Sequence, residues 1–352
     1  MSTAVDVLVV GAGPAGSCAA RSAAEAGALV LLVERRSRIG IPVQCAEYVP
    51  AQIARYVALP ERCIAQRIEH MRTVLPDGTT VETPAPGAVI DRAHFDRSLA
   101  VAAHRAGAQI WTSTRALQRT GDGVLVRRGG QEVEVACQVL IGADGPRSTV
   151  GRWVGQENRA YLDARQVEVV LTTRRPTTEI TFDPAYRGGY GWLFPKGETA
   201  NVGVGVNREM GGDASKALAH LLDRLEIRSG AVVGRTGGLV PSGGEVASLR
   251  VGNVLLAGDA GGATHPITGA GIAHAVIAGT FAGEAAGQAI RTGSLDALDG
   301  YEEQWSYMHN PLRHALERRH FLDDKWSDDP LALSAAVREG WIAFKGYGRR
   351  RR

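Results

Sequence analysis

Three glycines near the N-terminus have the spacing of a phosphate-binding turn. Gly11, Gly13 and Gly16 follow the β-branched apolar run of residues 5–10, and an alanine-rich stretch begins directly after them. In a strand–turn–helix unit the first glycine allows a tight turn, the second lets a pyrophosphate approach the backbone, and the third lets the helix pack on the strand. Glu34 ends the next apolar run, where an acid accepts ribose hydroxyls. The pattern predicts a dinucleotide site, and the charge of Glu34 disfavours a ribose 2′-phosphate there.

Two later segments place an aspartate in a glycine turn after an apolar run. Asp259 stands in a Gly-Asp-Ala turn, and Gly269 and Gly271 follow in the same segment. Such an aspartate can accept a hydrogen bond from a ribitol hydroxyl, and the glycines let backbone N–H groups at a helix start reach a phosphate or a ring carbonyl. Asp144 stands in a similar turn, Gly-Ala-Asp-Gly. Each turn alone is common, but together with the first motif they predict one extended cofactor.

Aromatic residues make up only 6% of the chain, so a local group of them is informative. Tyr190, Trp192 and Phe194 recur with period 2, which places the three rings on one face of a strand. Two interpretations stay open: the face packs against a core, or it forms the wall of an apolar cavity.

The composition limits the classes of function. The 352 residues carry a net charge of +3, and four of the arginines stand together at residues 349–352. The rest of the chain therefore lacks the basic surface that nucleic-acid binding needs, and we expect no nucleic-acid partner. The four cysteines form no Cys-x-x-Cys pair, which excludes a disulfide scaffold and the usual zinc and iron–sulfur spacings. We expect no metal site.

The apolar segments predict a cytoplasmic protein. The N-terminus lacks the basic region of a signal peptide. The most apolar stretch, residues 271–290, carries His274 and Glu284, so it predicts a buried helix and not a membrane span. For the arginines at 349–352 we predict a solvated end, with a weak contact to anionic lipid as the alternative, so a peripheral membrane contact stays open.

The elements that must position these residues alternate between strand and helix. Apolar runs at 5–10 and 28–33 predict buried strands around a helix over 14–26, which is a β-α-β unit. Turn residues predict a hairpin of 71–75 with 79–83. The further predicted elements are a helix from an Asp91 cap to 106, a strand at 137–141, strands across 165–206, a helix over 213–228, a strand over 251–257, a long helix after 271, and helices from about 295.

The three motifs, in this order, resemble FAD-dependent oxidoreductases of the p-hydroxybenzoate hydroxylase superfamily over residues 4–300. Within that span PVQCAEY at 42–48, DGPRSTVGRW at 144–153 and GGYGWLFPKG at 188–197 are similar to the geranylgeranyl reductase family. Members of that family use FAD to saturate isoprenoid chains. The resemblance implies an α/β fold with a discontinuous Rossmann-like FAD-binding domain, an inserted antiparallel substrate-domain sheet and C-terminal helices.

We expect the domains to interleave along the chain. The expected parts are 1–70, 91–160 and 241–295 for the FAD-binding domain, 71–90 for a hairpin of the substrate sheet, 161–240 for the substrate domain, and 296–352 for a C-terminal helical cap.

The resemblance also implies roles for individual residues. Cys45 and Ala46 would lie close to the flavin, Arg97 would reach an FAD phosphate unless it lies on a solvated helix face, and Ala116 would offer its backbone to the adenine end. The residues expected to bind FAD are Gly11, Gly13, Ala15, Gly16, Glu34, Arg35, Cys45, Ala46, Arg97, Ala116, Asp144, Asp259, Gly269, Gly271 and Ile272.

Two residues are catalytic candidates, each with an alternative. Cys45 is either a thiol near flavin N5 that shapes the pocket or donates a proton, or a small buried hydrophobic residue. His265 is either a polar substrate contact over the flavin ring or a loop histidine with satisfied hydrogen bonds. Tyr190, Trp192 and Phe194 are the candidate substrate pocket.

The resemblance, together with these residues, implies a reductase that transfers hydride from reduced flavin to carbon–carbon double bonds of an apolar, isoprenoid-type substrate. One alternative is an FAD-dependent monooxygenase that hydroxylates an aromatic small molecule or an aromatic side chain of a partner protein; another is a flavoprotein that binds without turnover. The sequence has no second strand–GxGxxG–helix unit. We therefore expect electrons from NAD(P)H that visits the flavin transiently, or from an electron-donor protein or a small reductant.

Overall fold

The computed structural model describes residues 2–348. The arginine run at 349–352, predicted to be a solvated end or a lipid contact, lies outside the described residues. The strands are β1 (Ser2–Val10), β2 (Val30–Val33), β3 (Tyr48–Pro50), β4 (Ile64–Val74), β5 (Thr80–Ile90), β6 (Gln109–Trp111), β7 (Thr114–Arg119), β8 (Gly123–Arg128), β9 (Gln131–Gly142), β10 (Tyr161–Val170), β11 (Thr178–Thr181), β12 (Tyr190–Lys196), β13 (Thr199–Val206), β14 (Val232–Pro241), β15 (Arg250–Val251) and β16 (Val254–Leu256). The α-helices are α1 (Pro14–Glu25), α2 (Arg92–Arg105), α3 (Thr149–Trp153), α4 (Ala214–Arg224), α5 (Ile272–Thr292), α6 (Asp299–Asp324) and α7 (Pro330–Gly340).

Strands from three separate parts of the chain form the first sheet, in the order β15-β16-β9-β1-β2-β6. Strands β16, β9, β1, β2 and β6 run parallel, whereas β15 pairs antiparallel with β16, and β8 pairs antiparallel with β9 and β7. Val7 of β1 lies opposite Val30 on one side and Val139 on the other, and all three are fully buried. This is the burial expected of an apolar strand covered on both faces. The predicted β-α-β unit is confirmed.

Helices α1 and α5 pack closely beside this sheet because small residues line their contact. A Cβ on Gly279 would lie 2.1 Å from the carbonyl oxygen of Ala15, and one on Gly283 would lie 2.3 Å from that of Ala19. Only glycine lets the two backbones approach this far. The stretch predicted to be a buried helix is therefore α5. Within residues 2–348 no helix is both long and apolar enough to cross a membrane.

The second sheet has the strand order β14-β10-β13-β12-β11-β4-β5-β3. Its neighbours pair antiparallel except β11 and β4, which are parallel. One face packs against the C-terminal helices α6 and α7, with Phe194 and Trp192 in the same core cluster as Leu322 and Val337. Because these strands lie in sequence between strands of the first sheet, the sheet is inserted, and the predicted α/β fold with a discontinuous Rossmann-like domain is confirmed.

The predicted hairpin and the predicted strand over 251–257 are among the elements whose bounds differ in the structure. The hairpin strands extend over Ile64–Val74 and Thr80–Ile90, and irregularities in their register interrupt the apolar alternation that would have indicated the extra length. The predicted strand over 251–257 is split in two. Gly252, with φ +61°, turns the chain between β15 and β16, which then pair with each other. The glycine–asparagine turn at this point is the signal that the sequence prediction passed over.

Candidate functional site

The three predicted motifs meet at the carboxyl ends of β1, β9 and β16. A Cβ on Gly11 would lie 2.3 Å from the carbonyl oxygen of Ala143, in the Gly-Ala-Asp-Gly turn after β9. A Cβ on Gly258, in the Gly-Asp-Ala turn after β16, would lie 2.9 Å from the Ala15 Cβ. The glycine turn after β1 therefore touches both aspartate turns. This edge of a parallel sheet is where α/β proteins of this type bind their ligands.

The glycine turn has room for a bound group at one position. Gly11 has φ +101°, and a Cβ on Gly16 would lie 1.8 Å from the Gly11 carbonyl oxygen, so the fold itself requires both glycines. Gly13 differs, because its φ of −73° suits any residue and no atom of the described chain lies within 4 Å of a Cβ built on it. Gly13 is also the N-cap of α1, where backbone N–H groups and the helix dipole favour an anion. These features fit the pyrophosphate of FAD.

Glu34 is held at the same turn by two backbone groups. Its Oε2 accepts a hydrogen bond from the Ala12 N–H at 2.9 Å, and its Oε1 accepts one from the Arg36 N–H at 2.9 Å. A carboxylate has about four acceptor positions, so two remain for the ribose hydroxyls of FAD. Arg35, predicted to contact FAD, has an exposed side chain.

The two predicted aspartates make different contacts. Asp144 accepts hydrogen bonds from the Ser148 hydroxyl at 2.5 Å and the Thr149 N–H at 2.6 Å, and it thereby holds the start of α3. Asp259 accepts one from the Thr264 hydroxyl at 2.7 Å. Burial raises the pKa of both carboxyls, and these hydrogen bonds oppose the rise. Asp259 keeps more capacity to accept from a cofactor hydroxyl, whereas a contact between Asp144 and the cofactor stays a prediction.

The remaining predicted FAD contacts fall into two groups. Gly271 is the N-cap of α5, and a Cβ on it would lie 3.3 Å from Asp259 Oδ1, so Gly271 and the buried Ile272 adjoin the Asp259 turn. Arg97 and Ala116 lie on other elements. The Arg97 side chain is exposed on α2, and Ala116 is half-buried on β7. Their contacts with FAD stay predictions.

Cys45 lies where the FAD-binding segment meets the inserted sheet. Its Sγ accepts a hydrogen bond from the Glu47 N–H at 3.2 Å, and its carbonyl accepts one from Gln166 Nε2 at 3.1 Å. Burial raises the pKa of the Cys45 thiol, and the positive charge of Arg92 partly offsets this rise. The thiol is therefore protonated at neutral pH. Ala46, the next predicted contact, accepts a hydrogen bond from Asn201 Nδ2 at 3.3 Å.

Tyr190, Trp192 and Phe194 lie on one face of β12, as their period predicts, and we call them the aromatic face. The face is packed. Trp341, which follows α7, places its ring centroid 5.2 Å from that of Tyr190, and Tyr48 lies 6.0 Å from Phe194. The cavity beside Tyr190 and Trp341 has a volume of about 10 Å³. The role of the aromatic face as the wall of a substrate pocket stays a prediction. Gly269, with φ +62°, lies next to the aromatic face, since a Cβ on Gly269 would be 3.8 Å from the Tyr190 hydroxyl.

His265 is a neutral, hydrogen-bonded loop residue. Its Nδ1 accepts a hydrogen bond from the Thr268 N–H at 3.3 Å, so the ring proton resides on Nε2. Burial, together with the charges of His274 and His314, lowers the pKa of His265 to about 4. The satisfied-loop interpretation therefore has structural support, while a substrate contact stays a prediction.

Sequence reasoning missed two residues beside Cys45. Arg92 binds Asp96 through Nε at 2.9 Å and Nη2 at 3.0 Å, and its positive charge opposes the rise that burial causes in the pKa of the Cys45 thiol. The i,i+4 spacing of Arg92 and Asp96, directly after the N-cap Asp91, was a usable signal. Glu47 is only 2% exposed. Nothing in its sequence position distinguishes this buried acid from a solvated turn residue.

The Glu47 carboxylate joins several segments. Its Oε1 accepts a hydrogen bond from the Arg92 N–H at 2.8 Å. Its Oε2 accepts from Lys196 Nζ at 2.6 Å and from Asn201 Nδ2 at 2.7 Å. Because Lys196 ends β12 and Asn201 lies on β13, this one side chain connects α2 to the inserted sheet.

Comparison with known proteins identifies an FAD-binding part and a catalytic part of the chain. Residues 4–186 match the FAD binding domain family, and residues 168–240 match the geranylgeranyl reductase catalytic domain family. The digeranylgeranylglycerophospholipid reductase of Methanosarcina acetivorans is 37% identical over 87% of this chain and 81% of its own. Digeranylgeranylglycerophospholipid reductase 1 of Methanopyrus kandleri is 40% identical over 85% of each chain.

Solved structures share the fold. A geranylgeranyl bacteriochlorophyll reductase-like protein from Thermoplasma acidophilum superposes with a TM-score of 0.84 at 28% identity, covering 97% of both chains. The flavin-dependent halogenase CmlS has a TM-score of 0.73 at 21% identity, over 95% of this chain and 68% of its own, which shows a common fold alone. With its FAD-binding and catalytic segments both matched, and with relatives above 30% identity along most of its length, this chain belongs to the geranylgeranyl reductase family of FAD-dependent oxidoreductases.

Proposed function

We propose that this protein reduces carbon–carbon double bonds of an isoprenoid lipid. The observation that carries the proposal is a hydrogen-bonded bridge from Cys45 to the aromatic face. Gln166 donates to the Cys45 carbonyl at 3.1 Å and accepts from the Trp192 indole N–H at 2.9 Å. The bridge joins the backbone of Cys45, whose thiol is protonated at neutral pH, to an apolar surface. The names of the archaeal relatives support a lipid as the class of substrate.

Saturation of a double bond adds a hydride to one carbon and a proton to the other. FAD, when bound and reduced, supplies the hydride. Cys45 holds the proton at Sγ, because burial raises the pKa of its thiol above the ordinary value. The Arg92 guanidinium stabilises the thiolate that remains after the proton has moved to carbon. The thiolate then recovers a proton from solvent, so the chain returns to its starting state.

The aromatic face offers the substrate an apolar surface and excludes water. The Tyr190 hydroxyl donates to the Thr268 carbonyl, and the Trp192 indole donates to Gln166, so the polar atoms of these rings already have partners. A dry site favours hydride addition because it protects the reacting groups from solvent. A prenyl chain is far larger than the cavity of about 10 Å³ beside Trp341, so we expect Trp341 to move when the lipid binds.

We further propose that the electrons come from outside the chain, either from NAD(P)H or from a donor protein that visits the flavin. Gly203 and Gly205, the nearest approach to a second nucleotide motif, lie inside strand β13. An isoprenoid lipid also implies a peripheral contact with the membrane that holds it. Co-sedimentation with anionic vesicles tests that contact, and recovery of all protein in the supernatant would rule it out.

An anaerobic reaction tests the proposed function. The flavin is reduced with dithionite, oxygen is excluded, and a geranylgeranyl lipid is added. We expect the flavin to be reoxidised, as measured by its absorbance. The lipid product should gain the mass of two hydrogens for each double bond. Reoxidation that requires oxygen, with a product that gains an oxygen atom, would contradict the reductase and support the monooxygenase.

A further inference from the structure

Glu47 combines two features that cost folding free energy. Its φ is +72°, in the left-handed region that side chains other than glycine rarely adopt. Its carboxylate is buried against Lys196, and the desolvation of a buried ion pair often outweighs the mutual attraction. Glycine would relieve the first cost, and an apolar pair would relieve the second. Stability alone does not account for Glu47, and backbone outliers of this kind cluster at functional sites.

The contacts of Glu47 converge on the surroundings of the Cys45 thiol. The Glu47 N–H lies 3.2 Å from Cys45 Sγ. The Glu47 carboxylate accepts the Arg92 N–H at 2.8 Å, and the positive charge of Arg92 favours the thiolate form of Cys45. Glu47 thus supplies the backbone donor to the sulfur and also anchors the backbone of the nearby cation Arg92.

The same carboxylate fixes the Cys45 loop against the inserted sheet. Asn201 Nδ2 donates both to Glu47 Oε2 at 2.7 Å and to the Ala46 carbonyl at 3.3 Å. Lys196 Nζ adds a charged hydrogen bond at 2.6 Å. Movement of the loop away from β13 would therefore break several bonds to one charged group.

We propose that Glu47 is a positioning residue whose buried carboxylate holds the Cys45 thiol, together with Arg92, in place between the FAD-binding segment and the aromatic face. The inference deepens the proposed function, in which the Cys45 thiol donates the proton. The positioning itself is independent of turnover, so it can be measured without substrate.

The experiment measures the rate of Cys45 alkylation by iodoacetamide against pH, with mass mapping of the modified peptide. The midpoint of the profile reports the charges around the thiol, whereas the plateau at high pH reports its accessibility. The test variants are Glu47→Gln and Glu47→Gly. Glycine accepts the left-handed conformation, so Glu47→Gly is expected to fold even if the glutamine variant does not. Glu168→Gln is the matched control, since Glu168 is a half-buried carboxylate that also lies near Lys196.

We expect the plateau rate to rise about tenfold in both Glu47 variants, because each lost hydrogen bond to a charged group is worth roughly that factor. The control should keep the wild-type plateau. The melting temperature of Glu47→Gly should fall, because the relief at φ +72° is smaller than the cost of leaving Lys196 and Asn201 without this partner. An unchanged plateau in Glu47→Gly would overturn the proposal, and so would a lower melting temperature with an unchanged plateau, which marks a purely structural role.

Turnover separates this inference from the proposed function. With FAD content unchanged, we expect kcat to fall in Glu47→Gly while KM for the lipid stays constant, because the substitution alters none of the three rings of the aromatic face. A raised plateau with an unchanged kcat would keep the positioning role but remove Cys45 as the proton donor. A raised KM with an unchanged kcat would show that Glu47 acts on substrate binding and would contradict the proposal.

Discussion

Trp192 donates its indole N–H to Gln166 at 2.9 Å, so the middle ring of the aromatic face is fixed by the side chain that also holds the Cys45 backbone. Both side chains are buried. Gln166 therefore links the position of the thiol to the position of the apolar surface, although the residues are far apart in the sequence. A substitution of Gln166 should therefore change the surroundings of both Trp192 and Cys45.

Replacement of Gln166 by leucine removes two hydrogen bonds and leaves the Trp192 N–H and the Cys45 carbonyl without this partner. A buried polar group that loses its partner costs about 1–3 kcal/mol, so we expect the free energy of unfolding to fall by about 3 kcal/mol. Urea unfolding at neutral pH measures it. Trp192→Phe removes the same donor from the other side, so the double variant should lose clearly less than the sum of the single variants. Simple additivity would contradict the bridge.

Gly13→Val should separate cofactor binding from folding. A Cβ at this position meets no described atom within 4 Å and the φ suits valine, so the protein should fold and melt at the temperature of the FAD-free wild type. The valine methyls would occupy the space assigned to the pyrophosphate, and the purified protein should be colourless. Flavin absorbance and a thermal melt check both points.

Gly121→Val serves as the control for this substitution, because a Cβ on Gly121 also meets no described atom within 4 Å and the residue lies in an exposed turn. That variant should stay yellow. Full flavin occupancy in Gly13→Val would show that the glycine turn does not hold the pyrophosphate.

The nucleotide motif could be predicted from the sequence because its reasons are local. Gly11 has φ +101°, Gly16 packs against the Gly11 carbonyl in the same turn, and Asp91 caps α2 by accepting the His94 N–H at 2.8 Å, three residues away. Strand β1 could likewise be predicted, because a strand that is covered on both faces has a nearly continuous apolar run.

The surroundings of Cys45 could not be predicted, because they are made by distant segments. Gln166, Lys196 and Asn201 all come from the inserted sheet, more than a hundred residues further along the chain. No spacing rule connects them to the Cys45 loop. The contact of Trp341 with the aromatic face could likewise not be predicted, since the position of a tryptophan after a helix does not indicate which residues it packs against.

His265 should make the protein less stable in acid. The pKa of its imidazole is about 4 in the folded chain against an ordinary 6.5, so between these values the unfolded chain binds more protons. Stability is then complete above about pH 6.5 and is lost as the pH falls toward 4, by at most about 3 kcal/mol. His265→Gln removes this titration, so its free energy of unfolding should fall less between pH 7 and pH 4.5 than that of the wild type. Parallel pH profiles would contradict the assignment.

Cys45→Ser tests the proton donor directly. The hydroxyl has nearly the size of the thiol but is a far weaker acid, so delivery of the proton to carbon should slow. Because the substitution leaves the glycine turn and both aspartate turns intact, FAD content should stay at the wild-type level. Single-turnover reoxidation of the reduced flavin by a geranylgeranyl lipid should slow by about 10²-fold or more, the scale of general acid catalysis.

Cys137→Ser is the matched control for the loss of a thiol, because Cys137 is half-buried on β9 and pairs with Val5 of β1 in the sheet. It should reoxidise at the wild-type rate. If Cys45→Ser also reoxidises at that rate, the thiol does not supply the proton and Cys45 is a packing residue. If Cys45→Ser instead loses its FAD, the residue belongs to cofactor binding and the proton must reach the substrate from another group.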